Sequence, residues 1–387
     1  MGAGCALVAG GLFWIFYLRL IAYTDDAYVE GNQIFITPLQ DGIVTRIHTD
    51  DTFLVDEGQV IAELDNTDAI IALSRAQDNL AGVVRELCQV FHRTFSLQSE
   101  IEVRIADLIV AKQDWDHRID VIDNGGVSLE NLQHAEAKLK AAFFTLKSVE
   151  SLYLREKSLI ENASIRTNPI VKKAEDQLRD AVVRLYRCKI YAPNKGLIAQ
   201  RRAQVGMYMK AGEPMMSVIP LDQMWVNANY KETQMKKMRI GQTVRISADL
   251  YGFDTVFEGK IVGLPGGAGN AFSLLPPQNL SGNWIKIVQR LPVRVALKPE
   301  DIEKHPLRIG LTMKAITHLN QGTLTPSPNG PLYTTKILVN EEEGAKTMFN
   351  SILLANIDST LLPFENTPFT SDYTPFINTL TQFFNHE

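Results

Sequence analysis

The spacing of apolar and polar positions changes several times along this chain. Residues 38–64, PLQDGIVTRIHTDDTFLVDEGQVIAEL, place apolar residues in short runs broken by Gly and Asp, the pattern of short half-buried strands. From Thr67 to about Ile122 the period becomes seven, with Leu73, Leu80, Leu87, Thr94, Ile101, Leu108, Trp115 and Ile122 in one row. Ala76, Val83, Val90, Leu97 and Ala111 fill a second row, interrupted by Arg104 and Arg118. Sustained heptads of this kind predict a coiled-coil helix. At 1.5 Å per residue the arm is roughly 80 Å long. Asp123, Asn124, Gly125 and Gly126 end it, because adjacent glycines supply the left-handed conformations of a helix stop, and Ser128 is placed to cap the next helix.

The return arm repeats the pattern. Leu132, Leu139, Leu146, Tyr153 and Ile160 form one row beside Ala135, Ala142 and Val149. Asn162 to Pro169 interrupts it, with Asn168–Pro169 suited to an N-cap and first-turn proline. The helix resumes through Val171, Ala174, Leu178, Ala181 and Leu185, four residues out of heptad phase. Cys188 falls on the same row and reads as a small core residue. Short strands then return, with candidates at 224–229, 243–248, 256–264, 284–297 and 307–316, and residues 27–36 adding to them.

The second short-strand block, PNKGLIAQRRAQVGMYMKAGEPMMSV at 193–218, repeats the first. Gly42 and Gly58 are sixteen apart, as are Gly196 and Gly212. Aligning them sets Ile43, Val44, Val55, Ile61 and Leu64 opposite Leu197, Ile198, Met209, Met215 and Val218. Neither half can bury its apolar face alone, so the two must pair, and the roughly 120 residues between them must leave and return at one place. That requirement, with the glycine turn, selects an antiparallel intrachain hairpin over a dimerisation coiled coil.

Residues 1–22 are apolar or small except for Arg19, long enough to span a bilayer core, with Phe13, Trp14, Phe16 and Tyr17 suited to an interface. There is no basic n-region and no small-x-small cleavage site before Tyr23, so an uncleaved anchor is expected. No Lys or Arg precedes the span, so charge alone does not orient it. Residues 321–387 begin with the linker-like TPSPNGP and carry apolar patches at 348–357 and 376–384, to which no role is assigned.

Composition adds exclusions. The net charge of −5, with both signs interspersed, argues against a nucleic-acid partner. Cys5, Cys88 and Cys188 form neither a metal-binding spacing nor a disulfide framework, and the histidines show no HExxH pair. The glycines at 263, 266, 267 and 269 lack a following GK[ST], so a barrel loop is the default. No nucleophile motif is present, and no enzyme activity, metal or cofactor is expected. The half-motifs resemble biotinyl/lipoyl domains, but Lys210 aligns with Asp56 rather than with the turn joining the halves. A carrier subunit is therefore the weaker reading.

Three stretches carry a closer resemblance: YTDDAYVEGNQIFITP at 23–38, MWVNANYKETQMKKMRIGQ at 224–242, and AFSLLPPQNLSGNWIKIVQRLPVRV at 271–295. With the split repeat and hairpin they resemble the periplasmic adaptor (membrane fusion) proteins of the HlyD superfamily, closest to the EmrA-type multidrug-efflux branch. The resemblance implies an elongated α+β multidomain fold. Its parts are a transmembrane anchor (1–22), a β-barrel (23–36 and 221–320), a split lipoyl-like, barrel-sandwich hybrid domain (37–66 and 189–220) and a coiled-coil hairpin (67–188). It further implies a single-pass bacterial inner-membrane protein with its bulk in the periplasm. Partners implied are an inner-membrane major-facilitator drug/proton antiporter, a TolC-like outer-membrane channel and further copies in a ring.

The channel would meet the hairpin tip, at Arg118, Ile122, Asn124, Gly125, Gly126, Val127 and Ser128. The transporter would meet a barrel loop at Phe272, Ser273, Leu274, Leu275 and Pro276. The Arg-x3-Leu-x6-Ser tip motif of many such adaptors is incomplete here, since Ile122 stands second and Leu129 third. An adaptor for type I protein secretion is the alternative within the family.

Overall fold

A computed structural model describes residues 20–122, 125–252, 254–267, 288–319, 322–323, 333 and 340–370. The chain forms two compact units, residues 1–65 with 187–338 and residues 66–186 with 339–387.

The first unit contains two β systems. In the half-motifs the strands are β2 (Ile34–Ile36), β3 (Gly42–Ile47), β4 (Leu54–Val55) and β5 (Val60–Leu64). Their counterparts are β6 (Lys189–Tyr191), β7 (Gly196–Ala199), β8 (Tyr208–Met209) and β9 (Met216–Ile219). They pair as two four-stranded sheets, β2-β9-β7-β4 and β6-β5-β3-β8. Each half therefore supplies the central pair of one sheet and both edges of the other. The aligned pairs Val44/Ile198, Val55/Met209, Ile61/Met215 and Leu64/Val218 are all buried. Ile43, opposite Leu197, is 46% exposed, which follows from the period-two alternation of a strand with one face in solvent.

The glycines divide into two kinds. Gly58 and Gly212 have φ of +78° and +82°, the left-handed turn conformation that a Cβ disfavours. Gly196 sits where a Cβ would lie 2.6 Å from the Ile219 carbonyl oxygen, and at Gly42 the nearest atom would be Leu64 Cβ at 3.3 Å.

The second β system is a closed barrel in the order β1-β10-β13-β12-β11-β14. Its strands are β1 (Ile21–Gly31), β10 (Met224–Lys231), β11 (Thr243–Ala248), β12 (Val256–Gly263), β13 (Arg290–Leu297) and β14 (Thr312–His318), with a short helix α4 (Pro299–Lys304) following β13. Alternate residues enter the core, among them Val226, Ala228 and Tyr230 on β10 and Val293 and Val295 on β13. The Thr-Asp-Asp sequence of β1 is a β-bulge between Thr24 and Ala27. There Thr24 donates to the Asn229 carbonyl at 2.7 Å, and Asp26 accepts from Arg290 at 2.7 Å and from Asn229 at 3.1 Å.

Two boundaries differ from expectation. Ile21 and Ala22, assigned to the anchor, pair with His318 and Thr317 as the start of β1. An apolar run does not by itself distinguish a membrane helix from a buried strand. Ile34–Ile36, assigned to the barrel, pair instead with Met216–Val218 in the half-motif sheet. Of the remainder of the expected anchor, Leu20 accepts from the Leu319 amide at 2.8 Å, and residues 1–19 lie outside the described residues. Among the described residues no helix is long and apolar enough to cross a membrane.

The second unit holds α1 (Thr67–Ile122), α2 (Leu129–Lys157) and α3 (Pro169–Arg187). Toward the turn, Ile101 and Leu108 on α1 pack with Leu139, Phe143, Leu146, Val149 and Tyr153 on α2. Leu80 and Leu87 pack with Val171 and Leu178 of α3 across the break. Asn168 caps α3 by accepting from the Ile170 amide at 3.0 Å. Cys188 lies one residue past the end of α3, not on it. There it is buried, with Gln40 donating to its sulfur at 2.9 Å. The heptad count carried on past a helix that β6 terminates.

The C-terminal stretch contains α5 (Asn340–Asn356) and a 3₁₀ turn at Ser359–Phe364. Phe349, Leu353, Ile357, Leu361 and Phe369 join the core made by Val84, Cys88 and Phe91 of α1 with Ile160 and Ile165. Those α1 residues form a third apolar stripe, outside both heptad rows. The broken segment 158–168 hydrogen-bonds to this stretch: the Ile165 amide donates to the Phe364 carbonyl at 2.9 Å and the Phe369 amide to the Ala163 carbonyl at 3.2 Å.

Candidate functional site

The hairpin turn is built by local backbone chemistry. The Gly125 amide donates to the Ile122 carbonyl at 3.0 Å, the Gly126 amide donates to the Val121 carbonyl at 3.1 Å, and Gly125 has φ of +69°. These bonds close the end of α1 in the manner of a glycine C-cap. Ser128 Oγ then accepts from the Asn131 amide at 3.3 Å and starts α2. Ile122 and Val127 are half-buried, and Gly125, Gly126 and Ser128 are exposed.

Arg118 is not free to reach outward. Its Nε donates to Asp114 at 2.9 Å and its Nη1 donates to the Asn131 carbonyl at 3.1 Å, so it stitches the two arms beside the turn. Among the described residues, the exposed apolar side chains at this end include Ile119, Val121, 40% exposed, and Leu129, 64% exposed. Leu129 stands where the familiar tip motif has a serine, so an apolar side chain takes that position, next to the exposed Ser128 hydroxyl. Asn124 lies outside the described residues, as do Phe272, Ser273, Leu274, Leu275 and Pro276.

The expected glycines Gly42, Gly58, Gly196 and Gly212 lie in the half-motif sheets and their turns. Links between the halves flank them. Arg201 Nε donates to Asp50 at 2.7 Å, and the Arg201 amide donates to Asp51 at 2.9 Å. The Arg201 hydrogen bond, followed by one from the Asp51 amide, holds the Asp50 carboxyl below its ordinary range. Within the first half, His48 bonds Glu63 at 3.0 Å and, with smaller help from Arg46, lowers the Glu63 carboxyl in the same direction. Lys210 is exposed beside the Gly212 turn, its amide donating to Glu213 at 3.3 Å.

Two features were not singled out from sequence. Trp225 carries the Arg294 guanidinium over its ring at 3.6 Å, a cation–π pair across β10 and β13. Arg166 in the break binds the C-terminal stretch through Asn366 at 3.1 Å, Asn350 at 2.7 Å and Glu365 at 2.7 Å. The signal for the latter was weak but present, since Phe91 and Phe95 fall outside the heptad rows and need a partner. Among the described residues no group of three His, Cys, Asp or Glu side chains is placed to hold a metal ion.

Two halves of one barrel-sandwich motif, interleaved strand by strand and separated by a helical hairpin, beside a closed six-stranded barrel, define a membrane fusion adaptor. The chain belongs to the EmrA-type multidrug-efflux branch of these adaptors. The family profile "EMRA, alpha-helical hairpin domain" matches residues 67–188. The chain is 38% identical over 351 residues to the probable multidrug resistance protein EmrK of Escherichia coli, covering 89% of this chain and 91% of that protein. It is 42% identical over 305 residues to the multidrug export protein EmrA of the same organism, covering 79% and 78%. Similarity to the fatty acid resistance protein FarA of Neisseria gonorrhoeae is 41% over 295 residues, covering 75% and 74%. A solved structure of the periplasmic adaptor protein EmrA aligns with TM-score 0.40 and 17% identity, covering 78% of this chain and 99% of that one.

Proposed function

We propose that this chain is the periplasmic adaptor of a tripartite multidrug efflux pump. The observation that carries the reading is identity of 36–42% to multidrug export and resistance proteins over most of the chain, joined to a split half-motif that gives its central turn to a hairpin. The apolar run ahead of Ile21 anchors the chain in the inner membrane in a single pass, and the remainder occupies the periplasm. The inner-membrane partner is a major-facilitator drug/proton antiporter, approached by the loop at Phe272–Pro276. The outer partner is a TolC-like channel, approached by the hairpin turn with Val121 and Leu129. Copies of the chain assemble as a ring and build a conduit.

In this reading the chain makes and breaks no bonds; the transporter draws on the proton gradient, and the adaptor contributes position. The exposed apolar pair beside the turn supports a docking surface that buries aliphatic area on a partner. The test is complementation of a strain lacking the gene. The intact chain should restore resistance, and Val121→Glu with Leu129→Glu should abolish both resistance and channel cross-linking while leaving the protein level unchanged. Unaltered cross-linking in that double variant sinks the tip assignment.

A further inference from the structure

The two ends of the six-stranded barrel differ in charge. At the end where β1 begins, the chain leaving β10 makes a 3₁₀ turn, Glu232–Lys237, and runs on through Arg239 to β11. Gln234 of that turn donates to the Tyr23 carbonyl at 3.1 Å, three residues from Leu20, where the N-terminal apolar run reaches the barrel. Lys231, Lys236 and Lys237 are exposed, and none has an ion-pair partner among the described residues. Arg239 donates to the Lys236 and Met238 carbonyls at 3.2 and 2.6 Å, which orders its guanidinium without neutralising it. The described acids on this side, Glu232, Asp25 and Asp26, are fewer, and Asp26 is already engaged by Arg290 at 2.7 Å. The opposite end is acid-rich: its connections carry Asp222, Asp249, Asp254, Glu300, Asp301 and Glu303, more carboxylates than cations.

The chain as a whole has a net charge of −5, so an anionic surface repels its bulk and attracts this end of the barrel. Gln234 is 211 residues from Tyr23 in sequence, so the basic turn lies far outside the stretch in which Lys and Arg orient a span. Folding alone brings it to the apolar run. Tyr23, 50% exposed, is an aromatic of the kind that sits at headgroup depth, and Leu20, 42% exposed, extends the apolar run toward it. Lysines held beside a membrane-inserted segment gain from anionic headgroups through charge. We propose that this end of the barrel binds anionic phospholipid headgroups around the anchor, with Lys231, Lys236, Lys237 and Arg239 as the contacts. It rests on the reading of the run ahead of Ile21 as an inner-membrane anchor, and adds a lipid preference that anchoring does not need. An acidic protein surface would suit the same charges, but chain continuity with the apolar run favours lipid.

Amide hydrogen exchange of the full-length chain in lipid nanodiscs tests it. One preparation holds phosphatidylcholine alone, the other phosphatidylcholine and phosphatidylglycerol in equal parts. Exchange across Glu232–Arg239 is expected to slow about fivefold with phosphatidylglycerol, and to return to the phosphatidylcholine rate in molar salt. Lys231→Gln with Lys236→Gln and Lys237→Gln should remove the effect, while Val226 and Val295 in the barrel core exchange as before. Equal rates in the two preparations, or an undiminished effect in the triple variant, overturns the inference. Protection that appears only when the inner-membrane partner is reconstituted as well assigns the charges to protein and overturns it too. A chain that enters neither kind of disc lacks the anchor, and the adaptor reading falls together with this one. A chain that restores resistance without lipid-dependent protection loses the headgroup contact and keeps the adaptor role.

Discussion

Arg166 Nη2 lies 2.7 Å from Glu365 Oε1, joining the break in the return arm to the residue that follows the 3₁₀ turn of the C-terminal stretch. The same guanidinium bonds Asn350 and Asn366 and sits 5.4 Å from the centre of the Phe349 ring. One side chain thus fixes two parts of a segment nearly 200 residues away, Phe349–Asn350 and Glu365–Asn366. Arg166→Ala is expected to destabilise the hairpin unit by about 2–3 kcal/mol, since charge-assisted bonds to partly buried partners are lost. Urea unfolding followed by helical circular dichroism measures this, and a midpoint unchanged from wild type would contradict it.

Removing residues 340–387 should cost more. Phe91 meets Phe364 and Phe369 with ring centres 5.6 and 5.8 Å away, and Cys88 lies buried against the same segment. The truncated chain is expected to bind a hydrophobic dye and to lose cooperativity in helix melting. Dye fluorescence equal to that of the intact chain would show that the segment is dispensable to the hairpin.

Gly196→Ala and Gly42→Ala occupy equivalent places in the repeat and should not behave alike. A Cβ at 196 meets backbone and Val218 Cγ1 below 3.0 Å, whereas at 42 it meets only Leu64 from 3.3 Å outward. The first substitution is expected to cost about 1–3 kcal/mol through overpacking and the second distinctly less. Thermal melting of the two variants side by side decides the point, and equal losses would rule out the steric explanation.

Tyr230 is buried in the barrel, its hydroxyl 2.7 Å from Thr317 Oγ1. Desolvation raises the phenol to about 12 from 10.0, with the Thr317 bond acting weakly the other way. The folded group keeps its proton where the unfolded one releases it, so its contribution is intact below pH 10 and is lost progressively as pH rises toward 12. Tyr230→Phe should flatten the fall in stability between those values, at a cost of about 1 kcal/mol at neutral pH for the orphaned Thr317 hydroxyl. Denaturant midpoints at pH 8 and pH 11.5 for both proteins supply the comparison.

Ser128→Ala removes the side-chain cap of α2 and should loosen the turn by about 1 kcal/mol. Faster amide exchange at Asn131, whose N–H the serine accepts, is the expected reading. Exchange as slow as in the parent would mean that water replaces the cap without loss.

The hairpin was legible because heptads, a double glycine and a cap repeat one message over many residues. The half-motifs were legible because Val44, Ile61 and their partners recur at a fixed offset. Interleaving was not, since β4 and β8 are two residues each and nothing within Leu54–Val55 says which half they will join. The C-terminal stretch escaped for another reason: its apolar positions make sense only against the stripe of Val84, Cys88 and Phe91, and a heptad scan counts those as surface. At the turn, sequence marked Arg118 as an outward contact, while its bonds to Asp114 and Asn131 make it first a brace between arms. Leu129 enters the sequence pattern only as the wrong residue for a motif.

The interleaved sheets impose an order in time. β3 and β5 are central strands whose edges, β6 and β8, lie beyond the hairpin in sequence. At ordinary synthesis rates the first half is made on the order of ten seconds before the second exists. During that interval the strand edges of β3 and β5 and the apolar side of Val44 and Ile61 have no partner, the condition under which strands pair with the wrong chain. A hairpin of local contacts forms far faster than this. Once closed, it sets Glu63 opposite Lys189, so the late half arrives at its mate as a neighbour rather than by a long search. The same helical arms thereby shorten the period in which the halves are vulnerable.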